Sequence, residues 1–99
     1  MLKNFRTYQL ALEFYRSCSA IKIPTHLREQ LDRSASSVVL NLAEGSGRFG
    51  NKDQSRFYKI AYASLLESFA ILQLSFNDQL VEKYDGLSSC IFKLINTQK

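Results

Sequence analysis

Apolar side chains recur at helical spacing through four consecutive segments of this chain, and only three short stretches break the pattern. With one proline and four glycines in 99 residues, little else interrupts it. Wound at about 100° per residue, the apolar positions gather on faces instead of alternating, which favours helices over strands. The first segment runs from about 4 to 21 and stops ahead of Pro24, because a proline disfavours helix at the residue before it. Its apolar residues (Phe5, Tyr8, Leu10, Ala11, Leu12, Phe14, Tyr15, Cys18 and Ile21) cover an arc of roughly 220°, where a bundle core needs a stripe of only about 100°. The excess calls for a subunit interface.

The second segment, 26–44, carries Leu27, Leu31, Ala35, Val38 and Leu42 on one stripe, with Thr25 as its expected N-cap. Beside that stripe runs a polar row of Gln30, Arg33, Ser37, Asn41 and Glu44. Gly45 is expected to close the helix in the left-handed conformation. The connection 46–52 is short, so the third helix, 54–76 with Asp53 as N-cap, must turn back antiparallel. It has one stripe of Phe57, Tyr58, Ala61, Leu65, Leu72 and Phe76, and a second of Ile60, Ser64, Glu67, Ile71 and Leu74. After a break at Asn77-Asp78, residues Leu80, Tyr84, Leu87, Ile91, Leu94 and Ile95 build a fourth helix over 80–97. Gly86 within it costs about 1 kcal/mol relative to Ala. The expectation is an all-α, antiparallel up-and-down four-helix bundle forming a single domain over 1–99.

Ninety-nine residues support one core, burying somewhat under about 70% of the surface of the unfolded chain. Hydrophobic residues at 45% with 22% charged fit a globular protein. No run approaches the roughly 18 apolar residues of a membrane span, and no signal-peptide apolar region follows the N-terminus, so the expectation is a cytoplasmic location without a membrane partner. Cys18 and Cys90 lie on apolar helical positions and read as reduced core thiols. The net charge of +4 and pI near 9.2 favour acidic partners, nucleic acid first.

Gly45-Ser46-Gly47-Arg48-Phe49-Gly50 satisfies G-x-G-x-x-G, but the dinucleotide fingerprint requires a strand before it and a helix N-terminus after it. Here a helix precedes the glycines, so they meet its carbonyl-rich end, which repels phosphate. Enzyme chemistry finds little footing elsewhere. His26 is the single histidine, with no second ligand at metal spacing. Neither cysteine has a cationic neighbour to activate it. Ser34, Ser36, Ser37 and Ser64 have no base for a triad. No catalytic, cofactor-binding or metal-binding residue is expected.

Two polar constellations remain. Antiparallel pairing should bring Arg33 opposite Ser64 and Glu67, giving a partly buried Arg33–Glu67 ion pair supported by Ser64 or Ser37. In the same network Glu44 has Arg48, Arg56 and Lys59 within reach, and Asn41 fastens the turn. The second constellation is basic: Lys52, Arg56 and Lys59 fall on one face of the third helix at i, i+4 and i+7, with Arg48 just before them. Phosphates could dock there. No aromatic platform accompanies the cluster, so binding would follow shape and charge rather than base sequence.

Four stretches together resemble a known family. They are Phe5-Arg6-x-Tyr8-Gln9-x-Ala11, Gln30-Leu31-x-Arg33-Ser34-Ala35-x-Ser37-Val38, Asn41-Leu42-Ala43-Glu44-Gly45-x-Gly47-Arg48, and Phe57-Tyr58-x-Ile60-Ala61-x-Ala63-Ser64-Leu65-x-Glu67. The family is that of the small four-helix bundle proteins first noticed as products of intervening sequences in bacterial 23S ribosomal RNA genes. The resemblance covers nearly the whole chain, and the Asn-Leu-Ala-Glu-Gly-x-Gly-Arg run is its specific part. It implies an antiparallel bundle assembled as a homo-oligomeric ring, pentameric in family members, with no established enzymatic activity. More distant relatives, the accessory proteins of diversity-generating retroelements, bind nucleic acid and a reverse transcriptase.

This chain departs from the family pattern in four places. It is about one helical turn shorter between Pro24 and Gln30, and carries Asp32-Arg33 where paired arginines are usual. It replaces a glycine around Asn77-Asp78 and ends its fourth helix early, at Lys99. The expectation for function is a non-catalytic, homo-oligomeric binding or scaffold protein associating with RNA or DNA through its basic face. The alternative is a protein-assembly module with no nucleic-acid role.

Overall fold

The structure, a computed structural model, describes residues 2–97. Gln98 and Lys99, where the early end of the fourth helix was expected, lie outside the described residues, as does Met1. Four helices follow a short 3-10 turn at Leu2–Asn4: α1 (Arg6–Ala20), α2 (Thr25–Ser46), α3 (Asn51–Leu74) and α4 (Val81–Thr97). No strand occurs among the described residues, and no helix is long and apolar enough to cross a membrane.

Side-chain pairs set the direction of each helix. Between α2 and α3, Ser34 meets Ser68 and Ser37 meets Ser64, so one number rises as the other falls. Between α3 and α4 the same inversion joins Tyr62 to Phe92 and Phe69 to Tyr84. At the two ends of α1, Phe5 lies against Tyr58 and the Lys22 carbonyl accepts from Asn77 Nδ2, so α1 runs in the same sense as α3. Since α1 packs on α2 and α4, neighbours alternate in direction, which is up-and-down topology. The 24 residues of α3 rise about 36 Å at 1.5 Å each, and nearly fill the 40 Å long axis.

The core is assembled from one stripe per helix. Phe14, Leu31, Val38, Leu42, Leu65, Leu72, Leu87 and Ile91 are fully buried, with Ala11, Ala35 and Ala61 leaving room for them. The wide apolar arcs of the first and third helices are covered only in part. On α1, Ala11, Phe14 and Cys18 are buried, while Tyr8, Leu10, Leu12 and Tyr15 are half-buried. On α3, Ile71 of the second stripe is buried, whereas Ile60, Leu66 and Leu74 face out.

The helix ends differ from expectation in ways that local contacts explain. The first helix starts at Arg6 and not Asn4, because Phe5 stays extended, packs on Tyr58 and donates its N–H to the Leu2 carbonyl. It ends at Ala20, where Arg28 of α2 donates to the carbonyls of Cys18 and Ile21 at 3.1 and 2.6 Å. Thr25 is the first residue of α2, not its cap. Pro24 occupies the cap position, its φ of −54° already suited to a helix entry.

The second helix runs two residues past Glu44, so Gly45 is helical and buried, and no glycine among the described residues has positive φ. Space, not φ, explains the glycine. A Cβ there would lie 2.7 Å from Cε1 and 3.0 Å from Cδ1 of Tyr58, and 3.1 Å from Cβ of Phe57. Gly45 is therefore where α2 and α3 approach most closely at this end. The helix ends through tight bonds, Gly47 N–H to the Glu44 carbonyl and Arg48 N–H to the Gly45 carbonyl.

The third helix begins at Asn51 with Gly50 in the cap position, so Asp53 sits in the first turn and is not the cap. It closes after Leu74 with Phe76 at φ 60°, Phe76 N–H bonded to the Gln73 carbonyl and Asn77 N–H to that of Leu72. That is the Schellman arrangement with a phenylalanine in the left-handed position where glycine is usual. Phe76, expected on the core stripe, is thus almost fully exposed beyond the helix.

Candidate functional site

The Asn41–Arg48 run stands at one end of the α2–α3 pair, and each of its polar members has a separate task. Asn41 Nδ2 donates to the Ser37 carbonyl at 2.8 Å and to Ser37 Oγ at 3.0 Å. It therefore braces the turn of helix upstream and does not fasten the inter-helix connection, as had been expected. Ser37 in turn shares a 2.8 Å hydrogen bond with Ser64 of α3. One step deeper, Ser34 and Ser68, both buried, meet at 2.7 Å. Each of these inner hydroxyls also has a carbonyl of its own helix within reach, Leu31 for Ser34 and Ser64 for Ser68. One donates across the interface while the other donates back.

Ser37 and Ser64, expected to support an Arg33–Glu67 ion pair, bond instead to each other, and the Ser34–Ser68 pair extends that contact. Its spacing was a usable signal, since Ser34 lies three residues before Ser37 and Ser68 four after Ser64, which antiparallel helices bring together. The Arg33–Glu67 ion pair does not form. Arg33 instead approaches Glu29 of its own helix at 3.8 Å, with side chains 65% and 92% exposed. Helical geometry explains why. Arg33 and Glu67 each follow a fully buried leucine, Leu31 and Leu65, by two residues, a rotation of about 200° that carries both to the outside.

Glu44 ends α2 in an ion pair with Arg48, Oε2 to Nη at 2.6 Å. The Arg48 guanidinium also lies over the ring of Phe57, 4.8 Å from its centroid, and the Arg56 guanidinium lies 4.4 Å from the same centroid. Phe57 thus gathers two cations from different elements onto one aromatic surface. A contact of this kind contributes about 0.5–1 kcal/mol at an exposed site. Arg56 further approaches Asp53 at 3.7 Å, an exposed pair of small energetic consequence.

Lys52, Arg56 and Lys59, with Asp53 and Ser55 between them, line an open groove of about 930 Å³ between the start of α3 and the end of α4, bounded by Gly50, Asn51 and Ile95. The three cations are spread over about 10 Å of helix. Arg48 stands outside the groove lining and joins the cluster through Phe57. Neither Phe57 nor Phe49 was expected to take part. Phe49, in the α2–α3 connection between Arg48 and the groove residue Gly50, is the most exposed large apolar side chain described, with no part of its ring covered.

The cysteines sit apart from this surface. Cys18 is buried in the core and its thiol is pushed up to about 12, chiefly by loss of hydration and despite the nearby Arg28. Cys90, expected in the core, is only half-buried, and both thiols are free.

A family model described as 23S rRNA-intervening sequence protein matches residues 3–96. No curated protein and no solved structure matches the chain.

Proposed function

The chain belongs to the 23S rRNA-intervening sequence protein family, and on that footing we propose that it is a non-catalytic, homo-oligomeric helical bundle that binds nucleic acid in the cytoplasm. The observation that carries this reading is the groove lined by Lys52, Arg56 and Lys59, with Arg48 held beside it on Phe57. Residues 44–59 hold four cations against two carboxylates, Glu44 and Asp53, a surplus of two in a chain whose net charge is +4. Half of the net positive charge of the protein thus lies in this stretch at one end of the α2–α3 pair. Phosphate is the anion such a surface suits, through counterion release that depends on salt and not on sequence.

Assembly raises what one groove can do. The outer face of α3 from Ile60 to Leu74 has a single charge, Glu67, among Ile60, Ala63, Leu66, Ala70 and Leu74. A face of that composition favours contact with another copy over contact with water. We read a closed ring, five-membered by family resemblance, in which each copy repeats the basic groove and modest single-site attraction becomes avidity. The same apolar face supports the second reading, a protein-assembly module whose cations are only surface.

Titration against structured RNA at two salt concentrations separates the two. Nucleic-acid binding predicts affinity that falls steeply with salt, and a shallower salt slope for Lys52→Glu with Arg56→Glu. The assembly reading predicts no measurable binding at either salt.

A further inference from the structure

We propose that Phe49 is a base-stacking side chain, so that the tip formed by the α2–α3 connection takes up an unpaired nucleotide and not only duplex phosphates. The inference rests on the nucleic-acid reading above and sharpens it by naming the form of nucleic acid. Three observations converge. The Phe49 ring is wholly uncovered although the protein offers a core close by, where Tyr58 and Leu42 are buried. An aromatic held out in water at the end of a connection has both faces free. Its immediate neighbours are cationic or line the cationic groove: Arg48 before it, Gly50 after it, then Lys52 and Arg56 on the first turns of α3.

Two of the cations, Arg48 and Arg56, are themselves held in place. Arg48 is fixed by Glu44 at 2.6 Å and by the Phe57 ring, and the Arg56 guanidinium lies 4.4 Å from the centroid of the same ring. The arrangement therefore sets a projecting π-face in a connection that leads directly into the cationic groove. Single-stranded nucleic acids are bound by this combination, a positive groove that tracks the phosphates and an aromatic on which a base stacks. Between its two ends a duplex has no free base face to offer, since its bases are stacked on one another. An A-form helix presents only its shape, 2′-hydroxyls and phosphates to such a surface. Sequence reading alone found no aromatic platform, because Phe49 sits in a connection and not at a fixed spacing on the basic helix.

The protein contains no tryptophan, so a single Phe49→Trp substitution gives a spectroscopic reporter at the site itself. The probes are an unpaired RNA of about a dozen nucleotides, within the range a single-strand site spans, and a duplex of equal length. Stacking predicts quenching of the position-49 fluorescence by the unpaired RNA and little change with the duplex. It also predicts that Phe49→Ala lowers the ratio of unpaired to duplex affinity by about 5- to 150-fold, while Phe49→Trp preserves it.

Three results overturn the proposal in distinguishable ways. Unchanged discrimination in Phe49→Ala, with binding still lost in Lys52→Glu plus Arg56→Glu, removes the stacking role and leaves the charge reading standing. Fluorescence that responds to protein concentration and not to RNA, with a lower solution mass for Phe49→Ala, makes Phe49 a contact between copies. Failure of the parent protein to bind either probe at low salt removes both readings together.

Discussion

Gly45 shows how a single position can have the expected residue for a different physical reason. Its backbone is ordinary helix, and what it lacks is a side chain that would meet the Tyr58 ring at 2.7 Å. Tyr58 is only 4% exposed, so its ring has little room to give way. Gly45→Ala gains about 1 kcal/mol of helix propensity but meets an overpacking cost of about 1–3 kcal/mol, and a net loss of stability is expected in urea unfolding. In a Tyr58→Leu background the same substitution should become neutral or stabilising, which a left-handed role for Gly45 would not permit. The sequence marked the position but not its cause, because closure of a helix and close approach of two helices both select glycine. Cys18 yields a second residue-scale expectation. Its folded thiol ionises near 12, above the ordinary value of 9.0, so the stabilisation is complete below pH 9 and declines as pH rises from 9 towards 12. Tyr58, also raised by burial, acts in the same direction. A Cys18→Ala variant should show a flatter loss of stability over that range, and a thiol reagent should label Cys90 well before Cys18 in the native protein.

At the scale of elements, the connections carry more of the specificity than the helices. Arg28 links two segments: it donates to two carbonyls at the end of α1 and pairs with Asp32 at 2.8 Å within α2. Those carbonyls have no partner inside their own helix, so the guanidinium both caps α1 and fixes the angle at which the chain enters α2. Arg28→Ala should lower stability by about 1.5–3 kcal/mol, the range for hydrogen bonds to a charged group. Arg28→Lys should recover only part of the loss, since an ammonium cannot reproduce the spread of the guanidinium fork. The helices themselves were legible from periodicity, and their boundaries lie within about three residues of expectation. Arg33 and Glu67 were misplaced because composition of a row says which residues lie beside the core stripe, and only rotation about the axis says which of them turn away from the neighbouring helix. The serines were better placed by the same row, since a short side chain can sit between two helices where a long charged one is driven to water.

For the whole molecule, the question is what covers the apolar surface that four helices leave open. The face of α3 bearing Leu66, 46% exposed, and Leu74, 68% exposed, is continuous over about four turns and nearly uncharged. Leu40 stands exposed at mid-length on α2 as well. The wide arcs seen in the first and third helices were the sequence counterpart of this surface, but the sequence could not say which part of each arc the bundle itself would consume. On α1 the structure leaves the excess half-buried, and on α3 it leaves it in the open. Leu66→Glu with Leu74→Glu places like charges on that face and should dissociate an assembly without disturbing the fully buried Leu65 and Leu72. Self-assembly through this face is decided by the mass of the protein in solution, measured by sedimentation for the parent and for this double variant. The proposed ring requires a discrete multiple of 11.3 kDa for the parent, five by family resemblance, and a shift towards a folded 11.3 kDa species for the variant. A parent that sediments as an 11.3 kDa monomer at every working concentration would contradict it.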